Sequence, residues 1–238
     1  MFDNVGSIIS SIAEGLSVTI WATLGGIALT VVLSFAAGLG MLARWWPVRA
    51  LSRTYVEFFR GTSEVVQLFW IFFVLPLLVG FQMVPLFAGI VVLGLNHGAY
   101  GGEIVRGAIQ SVPKAQLEGA RALNLRPFDT LMRVVVPQAV VEMIPPFTNL
   151  FIALMKSTAL LYFVSAGEIT ERGELLRPVY AQDTVVIYTV VLLFYLLLAV
   201  AITLVMRWLE RLGARALGRA PTSGPSVFAR LSGRGGVA

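Results

Sequence analysis

The sequence predicts an all-α, polytopic membrane protein with about five transmembrane helices. Three observations carry that reading. Of 238 residues 57% are hydrophobic and only 13% charged, with a mean hydropathy of +0.83. A soluble domain of this size cannot bury that much apolar surface. The charges are also gathered: Gly15 to Ala43 and Val65 to Gly102 contain no Asp, Glu, Lys or Arg. And one polar stretch, Ser111 to Gln138, is too long and too patterned to be a simple turn between helices.

Each element follows in order. Residues 1–14 precede the first apolar run and lack the basic start of a cleavable signal, since they hold Asp3 and Glu14. They are expected to form an external N-terminal segment. Gly15 to Ala43 is long enough to span, at roughly 20 residues per crossing. Gly25, Gly26, Gly38 and Gly40 offer close helix packing within it. Arg44-Trp45-Trp46-Pro47 closes the span with a cation and interfacial aromatics. Val65 to Gly102 is too long for one helix, and Pro76, Gly80 and Pro85 mark the break. A second span is therefore placed at about Tyr55 to Val79 and a third at about Val84 to Val105. Glu57, Arg60, Glu64 and Gln67 recur at helical spacing along the second. The fourth span, about Ile144 to Ser165, opens on Pro145-Pro146 and carries Lys156 in its middle. The fifth runs from about Thr184 to Met206. Residues 15–211 thus make one membrane domain, and residues 212–238 a Gly-, Arg- and Ser-rich tail, expected to be disordered from about Arg219.

Five crossings put the ends on opposite sides, and the cations decide which way. Arg44, Arg49, Arg53 and Arg60, then Arg106, Lys114, Arg121, Arg126 and Arg133, then the tail arginines all fall on one face if the N-terminus is outside. Only Arg172 and Arg177 fall on the other. The positive-inside rule places the Ser111 to Gln138 segment and the C-terminus in the cytoplasm. The net charge of +5 reads as topology, not as affinity for nucleic acid. Without Cys and with a single His, thiolate chemistry and metal sites are not expected. No GxxxxGK loop occurs, so the chain is not expected to bind ATP, and no GxSxG elbow suggests an intramembrane enzyme.

The polar stretch has its own design. Pro113 suits the first turn of a helix and Ser111 precedes it as a candidate cap. Leu117, Ala120 and Leu125 give a narrow apolar side; Lys114, Glu118 and Arg121 share a polar face. Pro127 ends or restarts that helix, and Pro137 lies where the chain returns to the membrane. Glu118-Gly119-Ala120, Arg121-Ala122-Leu123-Asn124 and Val136-Pro137-Gln138-Ala139 resemble the EAA loop of ABC-importer permeases. Ala99 to Leu123 and Tyr55 to Thr62, with Val66-Gln67-Leu68, resemble the polar amino-acid subgroup of that family. Pro145 to Asn149 and Ala122 to Leu125 look like its ectoine or hydroxyectoine type. The similarity runs from about Gly15 to Arg211. Two positions depart from the pattern: Gly119 stands where Ala is usual, and Asn124 where Gly is usual. Asn tolerates a left-handed backbone better than other non-glycine residues, so the turn survives.

The resemblance implies a type I ABC importer permease of a bacterial inner membrane. It implies a dimer with an identical or homologous second permease subunit, an extracytoplasmic solute-binding protein, and two cytoplasmic ATPases that bind ATP and Mg. No cofactor would be held by this chain. Lys114, Glu118, Gly119, Ala120, Arg121 and Asn124 would form the coupling helix that docks on the ATPase. A polar amino acid or compatible solute would be the cargo. The alternative is a channel or carrier that works without ATP.

Polar residues inside the spans are the candidate solute contacts. Glu64 and Gln67, Asn96, Tyr100 and Glu103, and Asn149 and Lys156 could line one polar cavity, with Lys156 meeting a carboxylate and Glu64 or Glu103 an ammonium. The competing reading is an ion pair between Lys156 and a glutamate, or Lys156 snorkelling to an interface. His97 is either a proton relay or simply hydrogen-bonded. Glu57 and Arg60 read as an ion pair or a gate. Glu168, Glu171 and Glu174 read as a contact for the binding protein or as a solvated loop.

Overall fold

A computed structural model describes residues 4–216. Within them the regular structure is helical, with no strand. The elements are α1 (Val5–Ala13), α2 (Leu16–Met41), α3 (Trp46–Gly61), α4 (Glu64–Phe69), α5 (Leu75–Val79), α6 (Pro85–Gln110), α7 (Lys114–Ala122), α8 (Pro127–Thr130), α9 (Val136–Ser157), α10 (Ile169–Leu176) and α11 (Thr184–Ala216). Single π-helical turns, Trp70–Val74 and Leu131–Val135, join α4 to α5 and α8 to α9. Each sits just ahead of a proline, Pro76 or Pro137. A proline ring clashes with the carbonyl four residues back, and a wider turn relieves it.

The bundle is organised around α2 and α6, which pack along most of their lengths. A Cβ on Gly25 would stand 2.7 Å from Ile90, one on Gly98 2.7 Å from Leu33, and one on Gly38 2.6 Å from Val105. Residue numbers rise together on the two helices, so α2 and α6 run parallel. The chain between them must therefore cross back, and Glu64–Val79 is the returning segment. α9 runs against α6: a Cβ on Gly89 would meet Leu161, and one on Gly101 would meet Phe147. Three stretches are long and apolar enough to span by themselves, four if the bent pair counts as one. α6 is not among them, because its six glycines, Asn96, His97 and Glu103 dilute its hydropathy, so the described residues give three or four such spans where five were expected. The small positions Gly25, Gly26, Gly38 and Gly40 do face neighbours, the last against Ser52.

Several boundaries differ from the sequence reading. The second span is not one helix from Tyr55: α3 meets Glu64–Val79 at 105°, with Thr62 and Ser63 in extended backbone. The Glu57, Arg60, Glu64 and Gln67 stripe is thus broken. Pro145 and Pro146 do not open the fourth span but lie inside α9, which starts at Val136. Ser111 does not cap α7; its hydroxyl donates to the Ala108 carbonyl at the end of α6. The tail from residue 217, with its expected disorder, lies outside the described residues.

α1, unremarked in the sequence, is a short amphipathic helix with Ile8 and Ile12 fully buried against Ile169, Ile187, Val190 and Val191. Glu168 lies under this cluster and is wholly buried. It is neither a solvated loop residue nor exposed to a partner. Its carboxylate caps α10, accepting from the Thr170 and Glu171 amides at 2.8 Å each, and takes the Tyr195 hydroxyl at 2.8 Å. Glu171 accepts from the Gly167 amide, and Glu174 pairs with Arg177 and Tyr188. Burial pushes the Glu168 carboxyl above its ordinary value of 4.5, against the pull of those donors. A carboxyl raised on folding stabilises fully below its unfolded pKa and loses that contribution as pH rises through the folded one. Glu168→Gln should therefore remove part of the acid-side gain in thermal stability, measured at pH 5 against pH 8 in detergent.

Candidate functional site

Two places gather chemistry: the surface segment after α6 and a polar seam inside the bundle. In the surface segment, α7 sets Ala120, 3% exposed, against the bundle, with Leu117 and Leu125 half-buried beside it. Lys114, Glu118, Gly119 and Arg121 are exposed. None of the three charged ones pairs with another described residue. The helix ends in a Schellman motif. Asn124 takes the left-handed conformation at φ 53°, its amide bonds the Arg121 carbonyl at 2.8 Å, and the Leu125 amide reaches back to Ala120 at 3.1 Å. Asn thus fills the place that usually needs glycine. A Cβ on Gly119 would meet nothing within 4 Å. Glycine in a helix interior costs roughly 0.5–1 kcal/mol relative to alanine, and no described residue packs closely enough to require it there. Sequence reasoning missed Leu123 and Phe128, which stand 76% and 67% exposed around that turn. Their signal was two large apolar residues off the periodic apolar side of a charged segment.

The seam lies where the α3–α4 bend meets α6 and the end of α9. The Gln67 amide donates to the Phe59 carbonyl at 3.0 Å and to the Thr62 hydroxyl at 2.7 Å. Asn96 donates to the same Phe59 carbonyl at 3.0 Å and to the Gln67 side-chain oxygen at 3.2 Å. These bonds satisfy the backbone groups that the bend frees, in the middle of an apolar environment where orphaned ones cost several kcal/mol each. Next to them Glu64 accepts from the Ser157 hydroxyl at 3.0 Å and lies 3.5 Å from His97 Nδ1. His97 also contacts the Leu93 carbonyl at 3.2 Å. The histidine is hydrogen-bonded, as one of its two readings had it.

The expected polar set therefore divides. Glu64, Gln67 and Asn96 turn inward: Gln67 and Asn96 hold each other, and Glu64 holds Ser157 beside His97. Tyr100 and Glu103 belong to a second group: Arg60 lies over the Tyr100 ring at 5.1 Å and 3.9 Å from Glu103, which also binds Arg106 at 2.6 Å. Arg60 thus pairs with Glu103, not with Glu57. Asn149 and Lys156 are exposed on α9, and Lys156 forms no ion pair with any described residue. The Lys156–glutamate pair of the sequence reading is not formed. His, Asp and Glu side chains do not gather into a metal-binding group among the described residues.

A bundle of membrane helices with a polar seam inside and a structured lever on its surface defines a membrane transport component. The chain belongs to the family described as "Binding-protein-dependent transport system inner membrane component", which matches residues 30–215. It is similar to a "Probable amino-acid ABC transporter permease protein" of Sinorhizobium fredii, 44% identical over 84% of this chain and 85% of the relative. The glutamine transport system permease protein of Escherichia coli is 32% identical over 83% and 90%. Among solved structures, one titled "Crystal structure of an amino acid ABC transporter with histidines" superposes with a TM-score of 0.81 over 89% of this chain and 98% of that one, at 24% identity. An inward-facing methionine ABC transporter chain gives 0.71 at 20% identity. Both support the fold.

Proposed function

We propose that this chain is the permease subunit of an ATP-binding-cassette importer for polar amino acids or related compatible solutes. The observation that carries the reading is α7. It is a capped amphipathic helix held between α6 and α9, with an exposed charged face and an exposed glycine that no described residue packs against. Together with membership of a binding-protein-dependent family, that face is a docking surface for a separate ATPase subunit, which supplies ATP and Mg. Lys114, Glu118, Gly119 and Arg121 meet the ATPase; Ala120 and Asn124 hold the helix and its turn in place. Leu123 and Phe128 extend the contact. The N-terminus lies outside, and α7 and the C-terminus lie in the cytoplasm of a bacterial inner membrane. An extracytoplasmic binding protein delivers the solute at the α1–α10 end, and a second permease subunit completes the passage.

Within that passage the exposed residues Tyr100, Asn149 and Lys156 are the solute contacts, with Lys156 meeting a carboxylate. Glu103 neutralises the arginines beside it. Glu64, Gln67 and Asn96 act one layer back, holding the bend against α6. Reconstitution with the cognate ATPase and binding protein in liposomes tests the reading. ATP turnover stimulated by one member of a panel of amino acids and ectoines is expected. Solute flux that proceeds without the ATPase would instead mark a channel or carrier.

A further inference from the structure

The exposed sides of the long helices differ in kind. α11 shows Leu192, Leu193, Leu196 and Leu197, and α2 shows Trp21, Leu24 and Val32, as contact with lipid requires. At the helical period of 3.6, the exposed side of α9 carries Pro145, Asn149, Ala153 and Lys156, with no large apolar residue. A Cβ on Gly26, near the middle of α2, would stand 3.1 Å from Leu154, so Lys156 lies close to mid-membrane. It forms no ion pair among the described residues. A lone cation at that depth faces an aqueous cavity, not hydrocarbon. Behind it stands a carboxylate. Ser157, the next residue along, donates its hydroxyl to Glu64 at 3.0 Å. The Glu64 carboxylate is therefore within about 10 Å of the Lys156 Cα. Its side chain is 19% exposed, and its Oε1 is buried without a hydrogen-bond partner, 3.5 Å from His97 Nδ1. The other charges of this region, Arg60, Glu103 and Arg106, hold one another.

We propose that Glu64 determines the charge specificity of the Lys156 site. Held out of contact by Ser157, it balances the ammonium through space, and the site takes solutes of no net charge over anions. A direct ion pair would occupy the Lys156 donors. The Ser157 bond keeps the carboxylate back, so those donors stay free for a solute carboxylate while their charge is still compensated. A zwitterion adds no net charge to the balanced pair. A dicarboxylate adds a second negative charge near Glu64, at a separation where charges in a protein still interact. The inference rests on Lys156 as a solute contact but does not require an ATPase.

The test exploits a chain that has no cysteine of its own. Lys156→Cys in nanodiscs is treated at low ionic strength with methanethiosulfonate reagents of opposite charge, the trimethylammonium-ethyl and sulfonatoethyl forms. The ratio of the two rates reports the local potential, and any change in thiol reactivity cancels from it. A unit charge at 10 Å alters that ratio about fourfold even at the dielectric of water. Adding Glu64→Gln should therefore shift the ratio at least about threefold towards the anionic reagent, and high salt should shrink the shift. Adding Ser157→Ala, which removes the hydrogen bond but not the charge, should leave the ratio in place. Ala153→Cys keeps Lys156 and repeats the comparison one turn away, so a single unstable variant does not decide the outcome. A ratio that Glu64→Gln does not move would overturn the proposal while leaving Lys156 as a solute contact. So would an equal shift from Ser157→Ala, which would mark a structural contact. If neither reagent reacts at either position, the Lys156 contact itself falls.

Discussion

Replacing Gly119 by leucine should lower ATP-driven uptake at least about fivefold while leaving the permease as stable as before. A Cβ at this position meets nothing within 4 Å, so the longer side chain enters open space on this chain. Surface changes of that kind stay within about ±0.5 kcal/mol, and helix propensity favours leucine over glycine. On a docked helix the same side chain must displace the partner, and ejecting a tight contact costs about 1–3 kcal/mol. Gly119→Ala separates the two effects. It should raise stability by about 0.5–1 kcal/mol and still permit uptake, since one methyl is the smallest addition. Glu118→Lys should behave like the leucine variant. Glu118 is exposed and unpaired among the described residues, and reversal leaves three cations, Lys114, the new lysine and Arg121, on one face. Uptake into liposomes, ATP turnover and thermal unfolding in detergent check all three. Full uptake by Gly119→Leu would remove α7 from the coupling path.

The second large effect is one of assembly. Gly38→Ala should destabilise the bundle by about 1–3 kcal/mol. Its new methyl would stand 2.6 Å from Val105 and 2.8 Å from the Gly102 carbonyl oxygen. A flexible side chain could step aside; a backbone carbonyl on the facing helix cannot without moving α6. Gly107→Ala is the control on the same pair of helices. Nothing lies within 4 Å of a Cβ there, so that change should be neutral or stabilising. Thermal unfolding of the two variants side by side reads the contrast. Equal stability would mean that α2 and α6 do not pack as described.

Features set by local chemistry were legible in the sequence. The first span followed from a charge-free run, the close-packing glycines of α2 from their small size, and the left-handed turn at Asn124 from what asparagine tolerates. The two faces of α7 followed from helical period. What the sequence hid depended on tertiary partners. Glu57, Arg60, Glu64 and Gln67 keep helical spacing across a bend, and only the Gln67 and Asn96 bonds to Phe59 and Thr62 make that bend affordable. Pro145 and Pro146 look like a start, yet the helix passes through them. Glu168 reads as a loop charge; α1, α10 and α11 close over it, which no local pattern announces. The polar seam was half legible: its residues were singled out, but as one cavity, whereas hydrogen bonding sorts them into inward and outward sets.

The absence of cysteine permits the most direct test. A single Gly119→Cys substitution places one thiol on the exposed face of α7. The account predicts that this thiol cross-links to the ATPase subunit in membranes and resists an impermeant thiol reagent added to intact cells. Labelling from outside, or a cross-link yield no higher than that of a cysteine on α10, would contradict it.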